Sequence, residues 1–306
     1  MSKPAPVEAS PHREQPSNDN RVTTAGLLAG VLAVSSAAVI IRLADAPALT
    51  VASLRLVLAS LVMVPLALWC GGKQAHWIRR DVALGGLAAI FLAAHFASWI
   101  ASLGHTSVAS SVVLVTATPL MVSVASWALF RERVSARVGA GIALGIAGGA
   151  VIALGDWDRG TTGLRGDALA LLGAASITGY YLVGRTMSGR VPLLSYLALV
   201  YSGAAVLLLT AAVATGAPLR GLPATTYGWI ALLAIGPQLL GHSLINWSLG
   251  RLNATVVSLA VTAEPVIATA LAALVLSEPP PLTSVLGGAA ILGGVWVAVG
   301  RGRDAA

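Results

Sequence analysis

From residue 22 onward the chain is a succession of long apolar runs separated by short polar connections. Ten of these runs reach about the 20 residues that a helix needs to cross a bilayer: 22–43, 49–70, 81–101, 106–130, 134–155, 164–186, 192–214, 226–248, 253–276 and 281–300. Most connections are short, which predicts that consecutive helices are antiparallel neighbours. The longest connections are 71–80, 156–163 and 215–225. The charged turn Asp156–Arg159 divides five runs from five. Residues 1–20 are polar and proline-rich and are expected to be disordered. The first apolar run is long enough to span rather than to be a cleaved leader.

The stretch Ser102–Glu132 occurs twice. Laid without a gap on Ser248–Glu278, it brings Ser102-Leu103-Gly104 onto Ser248-Leu249-Gly250 and Val115-Thr116-Ala117 onto Val261-Thr262-Ala263. Pro119 then falls on Pro265 and Glu132 on Glu278. Abundant Ala, Leu and Val match by chance; a proline and a terminal glutamate at the same spacing rarely do. The chain therefore reads as an internal duplication. Because each half holds an odd number of spans, the second half enters the membrane upside down relative to the first.

Composition agrees with a bilayer protein. The 306 residues are 57% hydrophobic and 10% charged, against about 25% charged in a soluble domain, and the mean hydropathy is +0.84. The net charge of +7 could suggest nucleic acid, but the bases sit in loops between apolar runs, where they set orientation. With the N-terminus inside, fourteen of the 19 Lys and Arg fall in inner segments, four (Arg42, Arg159, Arg165, Arg220) in outer ones, and Arg55 inside a helix. Both termini are thus expected in the cytoplasm. The expected organisation is a disordered cytoplasmic segment 1–21, a first five-helix repeat 22–155, a periplasmic linker 156–163, a second repeat 164–300 and a cytoplasmic tail 301–306. The single Cys70 excludes an intrachain disulfide framework and a cysteine-based metal cluster.

Several blocks resemble the EamA-type branch of the drug/metabolite transporter superfamily. Pro47-x7-Arg55 at the entry to the second run is similar to the family's Pro-then-Arg signature. Ser102-Leu103-Gly104, Pro119 and Arg131-Glu132 resemble its next block, and Ser248–Arg251, Ala263-Glu264-Pro265 and Ser277-Glu278 the mirrored block. The Trp-Gly pair common in its first helix is absent; Val34-Ser35-Ser36-Ala37 stands there. The resemblance covers about residues 22–301. It implies an all-α membrane protein of ten transmembrane helices in two inverted five-helix repeats, and a bacterial inner-membrane exporter of amino acids and related metabolites. Within that family the chain invites comparison with the YddG-type aromatic amino-acid exporters, although no motif in it singles that subgroup out.

Polar groups inside the apolar runs are the candidate functional residues, since ionisable side chains in hydrocarbon are costly. Glu264 precedes Pro265 near the middle of the ninth run, and its mirror, Thr118, precedes Pro119. A helix-interior proline removes a donor and frees the carbonyl four residues back, so both helices are expected to kink. Glu264 reads either as a protonated carboxyl bonded to a neighbouring helix or as a cavity group that binds a substrate amine or exchanges a proton. Gln238, His242 and Asn246 are spaced i, i+4, i+8 on one face, after an expected kink at Gly236-Pro237. They form a hydrogen-bonded seam or a cavity wall that orients a zwitterion. His95, Trp99 and Ser102 share a face of the third run, with Ser98 beside them; a one-residue shift brings His95 onto His242 and Trp99 onto Asn246. Trp99 reads equally as a stacking surface and as an interfacial anchor. Ser107, Ser111 and Thr118 form a weaker stripe, and Tyr180 with Ser176 a further wall. Arg55 is expected to snorkel outward or to pair with Asp45 or a helix-end carbonyl, with a substrate role as the lesser reading. Glycine pairs in the fifth and tenth runs (Gly141, Gly145, Gly148-Gly149; Gly287-Gly288, Gly293-Gly294) predict close helix packing, between the halves by default or between two copies.

No ATP-binding loop, HExxH or cysteine pair occurs in the sequence, and neither His95 nor His242 has a second ligand at metal spacing. No cofactor and no metal are therefore expected. The substrate site is expected at mid-membrane, from His95, Trp99, Thr118, Tyr180, Gln238, His242, Asn246 and Glu264, with hinges at Pro119, Pro237 and Pro265. The expected partners are a small-molecule substrate such as an amino acid and the lipid bilayer, not nucleic acid, with the chain a monomer or homodimer. Two rivals stay open: a passive facilitator of the same fold, and a membrane-embedded enzyme acting on lipid-linked substrates.

Overall fold

The structure is a computed structural model, and it describes residues 18–70, 77–130, 135–157, 160–187, 189–249, 251, 257 and 260–299. These residues form ten helical rods. α1 comprises Asn18–Ser35 and Ala37–Ala44, broken at Ser36. α2 is Ala48–Cys70, α3 Arg79–Ser102, and α4 comprises Val108–Val115 and Thr118–Phe130. α5 is Ala136–Asp156, α6 Gly160–Met187 and α7 Leu193–Ala214. α8 runs from Ala224 to Leu249 through a π-helical stretch, Ala234–His242. α9 is Glu264–Val275 and α10 Leu282–Val299. Eight of the rods are long and apolar enough to cross a membrane; α9 and α10 are shorter apolar helices. Helices that face lipid on one side and protein on the other are apolar all round.

The boundaries correct the expected organisation at two points. α1 starts at Asn18, so the expected disordered segment 1–21 is helical in its last residues. The expected linker 156–163 is mostly helix, because α5 runs through Asp156 and α6 resumes at Gly160. Residues 1–17, Arg131, Glu132, Gly250 and 301–306 lie outside the described residues.

The packing bears out two inverted five-helix repeats. α5 lies along α10, α2 along α7, and α4 against α9; α3 packs on α6 and α8 on α1. Exchanging each helix for its counterpart five places on returns the same set of pairs, as a pseudo-two-fold relation between the halves requires. Consecutive helices are not the main neighbours, contrary to the expectation from short connections. The repeats interdigitate, and glycines such as Gly30, Gly141 and Gly173 pack closely against the other half.

The prolines act differently from the expected mid-helix kinks. Thr116 and Ala117 leave the helix before Thr118-Pro119, and Thr262 and Ala263 leave it before Glu264-Pro265. Each proline thus sits in the first turn of a new helix, where its missing N–H is no loss. The carbonyl four residues before Pro119 belongs to Val115, and the Thr118 hydroxyl donates to it at 2.6 Å. Pro237 is carried inside the π-helical stretch of α8; such stretches mark functional sites in many helices.

Candidate functional site

Arg55 is the centre of the polar interior. It sits in the third turn of α2, fully buried at 0% exposure. Its Nε donates to Gln238 Oε1 of α8 at 2.9 Å, and its guanidinium carbon lies 4.1 Å from the Phe96 ring centroid of α3. The expected snorkelling and the Asp45 partner are thereby corrected: Arg55 turns into the protein because α8 offers an acceptor and α3 an aromatic face. Phe96 is ringed further by His95, at 5.0 Å between centroids, and His242, at 6.3 Å edge-on. His95 stacks on Trp99 at 5.8 Å. The two histidines expected to be mirror partners therefore meet at one phenylalanine. Glu264 at the start of α9 is close enough to Arg55 to interact electrostatically.

His95 is also tied to the scaffold. Its Nδ1 lies 2.9 Å from the Gly173 carbonyl of α6; a carbonyl only accepts, so Nδ1 carries the proton and Nε2 is the acceptor. The close crossing of α3 and α6 permits this contact, for a Cβ on Gly173 would press against Trp99 and Ser98. Trp99 is 6% exposed, which removes the interfacial-anchor reading, and its Nε1 is buried without a hydrogen-bond partner among the described residues.

The expected polar stripe of α8 faces inward in part. Gln238 is buried and holds Arg55, with the Tyr201 hydroxyl of α7 within bonding reach of its side chain. His242 and Asn246 are half-buried; His242 touches Phe96, while Asn246 stands a turn further along. Tyr180 of α6 is buried and stacks at 6.5 Å on Tyr196 of α7; Tyr201 interacts with both Tyr180 and Gln238. Thr118 spends its donor on Val115. The serine stripe of α4 is a packing seam: Ser111 bonds Ser102 at 2.6 Å, and Ser110, bonded to Ser107, reaches Ser284 of α10 at 2.9 Å.

Sequence reasoning undervalued Arg55 and passed over Phe96 and Tyr201. An arginine two turns inside an apolar helix was the available signal for the first. Nothing in the sequence marks the two aromatics apart from others in the chain. Among the described residues no cluster of three or more His, Cys, Asp or Glu could hold a metal ion.

Two polar seals lie away from this centre. At one end of the bundle Glu278 accepts from Val108 N at 2.9 Å and pairs with Arg42 at 3.4 Å, while Arg42 also donates to the Thr106 carbonyl. At another site Arg190 grips Asp81 with Nη2 at 2.8 Å and Nε at 2.9 Å.

An all-helical chain of two interlocked repeats around a buried polar and aromatic centre has the architecture of a multi-pass membrane transporter. Residues 23–154 and 164–300 each match the model of the EamA-like transporter family. The chain belongs to that family, the EamA-type branch of the drug/metabolite transporter superfamily. A solved crystal structure of a protein aligns with a TM-score of 0.66 at 20% identity, covering 93% of this chain and 99% of its own; that likeness speaks for the fold. No curated protein matches the chain.

Proposed function

We propose that this membrane transporter exports amino acids or closely related small metabolites from the cytoplasm by alternating access, with both termini cytoplasmic. The observation that carries the reading is the buried centre to which both repeats contribute: Arg55, His95, Phe96 and Trp99 from the first, Gln238, His242 and Glu264 from the second. A site shared between inverted repeats can open to either side as one repeat rocks against the other. Helix breaks at 116–117 and 262–263 and the π-helical turn at Pro237 lie in the helices that would flex. In this orientation the Arg42–Glu278 seal is periplasmic and the Asp81–Arg190 seal cytoplasmic. His242, Asn246 and Glu264 orient the substrate, and the aromatic residues select it.

The test is uptake and counterflow of a panel of labelled amino acids by purified protein in liposomes, with and without a pH gradient. Saturable flux of some members is expected. Absence of saturable flux for the whole panel, with the protein shown to be folded, overturns the substrate assignment. Non-saturating flux with no counterflow favours a passive facilitator.

A further inference from the structure

We infer that Arg55 is the anchor for a substrate carboxylate, so that the transported solutes carry an acid group and decarboxylated amines are poor substrates. The inference rests on the transport reading above and deepens it. A buried guanidinium is costly unless its charge and its donors are met. In α2 the protein meets only part of that need. Nε is bonded to Gln238 at 2.9 Å and one face rests on the Phe96 ring at 4.1 Å. Nη1 and Nη2, the other edge of the fork, are both buried with no hydrogen-bond partner among the described residues. Glu264 is near enough to offset charge, yet it does not bond either Nη atom.

This geometry fixes the guanidinium and leaves its outer edge without an acceptor among the described residues. The Gln238 bond and the ring set the plane, and the remaining pair of N–H donors has the spacing that takes a planar carboxylate bidentately. A phosphate could engage the same edge. The Glu264 carboxyl group, which interacts electrostatically with Arg55, disfavours a phosphate dianion and complements an ammonium group, so an α-amino acid fits both ends of the site. His95, Phe96 and Trp99 then stand beside the anchor for the side chain. Arg55 is thus a specificity-determining residue that separates acids from amines.

The experiment compares matched solutes that differ only in the acid group. L-Phenylalanine against phenethylamine and L-threonine against 1-amino-2-propanol are titrated onto the purified full-length protein in detergent, read by tryptophan fluorescence and thermal stabilisation, with phosphoethanolamine as the phosphate arm. On the unmodified protein the amino acids bind roughly tenfold or more tighter than their amines, and phosphoethanolamine competes poorly. Arg55→Gln loses that preference by weakening the acids alone, and Arg55→Lys restores part of it. Should Arg55→Gln fail to fold, the comparison within each pair on the unmodified protein decides by itself. Amines binding within about threefold of their acids, tighter binding of phosphoethanolamine, no binding of any acid, or an Arg55→Gln variant with undiminished preference each overturn the anchor. Flux of amines without flux of amino acids in liposomes overturns the anchor and leaves a transporter. Binding of the acids without flux of any solute overturns transport and leaves the anchor.

Discussion

A Cβ placed on Gly141 would run into the carbonyl oxygen of Gly294, and one placed on Gly294 into that of Gly141. The same reciprocal contact recurs between Gly148 and Gly287, seven residues along each helix in opposite directions. α5 and α10 therefore cross antiparallel with their backbones in contact. A side chain here must push the two repeats apart. Gly141→Leu is expected to destabilise the protein by about 1–3 kcal/mol or more and to lower its unfolding midpoint in detergent. Gly139→Ala, where the added carbon meets nothing within 4 Å, is the control and should leave the midpoint in place. Equal midpoints for the two variants would refute the contact.

The glycine pairs, the ten runs and the duplicated Thr-Ala-x-Pro blocks were legible because they are local: each is a spacing along one segment. Even the helix breaks fall where the repeat placed its prolines, although the breaks come just before them instead of at them. The centre of the site was less legible. Arg55 and Gln238 are 183 residues apart, and their pairing follows from how the repeats interdigitate, which no spacing within a helix encodes. Thr118 shows the converse error. It shares Glu264's place in the repeat, but its hydroxyl is occupied by the carbonyl that Pro119 frees.

That hydroxyl gives a second prediction. Thr118→Val removes the donor at 2.6 Å from Val115 O and bares a buried acceptor in a helix break. The loss should be about 1–3 kcal/mol, seen as a lower unfolding midpoint, while Thr118→Ser retains the bond and most of the stability. The mirror substitution Glu264→Thr places the same hydroxyl before Pro265. It should fold at least as well as the parent, yet lose transport, because the carboxyl group that interacts with Arg55 is gone. A Glu264→Thr variant that transports at the parent rate would remove Glu264 from the site.

Glu278 joins three segments: it accepts the Val108 N–H at the start of α4 and pairs with Arg42 at the end of α1. The ion pair is partly exposed, at 33% and 27% for the two side chains, so water screens it and its share is small. The cap is the larger contribution. Glu278→Gln keeps an acceptor for Val108 and should cost little. Glu278→Ala leaves the Val108 N–H without this acceptor, while Ser107 still caps Ser110 N, and should cost about 0.5–1.5 kcal/mol. Thermal unfolding of both variants beside Arg42→Ala checks the order: Glu278→Ala lowest, with Arg42→Ala and Glu278→Gln close to the parent. An Arg42→Ala midpoint as low as that of Glu278→Ala would mean the ion pair, and not the cap, holds the seal.

Trp99 and Asn246 occupy mirrored places on α3 and α8, and the site assignment depends on both. Trp99 is stacked on His95, and its truncation removes an aromatic wall together with an indole N–H that is buried and unbonded among the described residues. Trp99→Ala should therefore reduce flux of aromatic amino acids more than flux of small ones, by roughly tenfold in kcat/KM. Asn246 is half-buried and offers an amide rather than a surface. Asn246→Ala should lower flux of all substrates to a similar degree, since it bears on the group they share. Initial rates in liposomes, normalised to folded protein, distinguish the two patterns. Parent-like rates in both variants would place the substrate elsewhere. A uniform loss in Trp99→Ala would instead mean that the ring supports the α3–α6 crossing, where Gly173 meets it, and does not touch the solute.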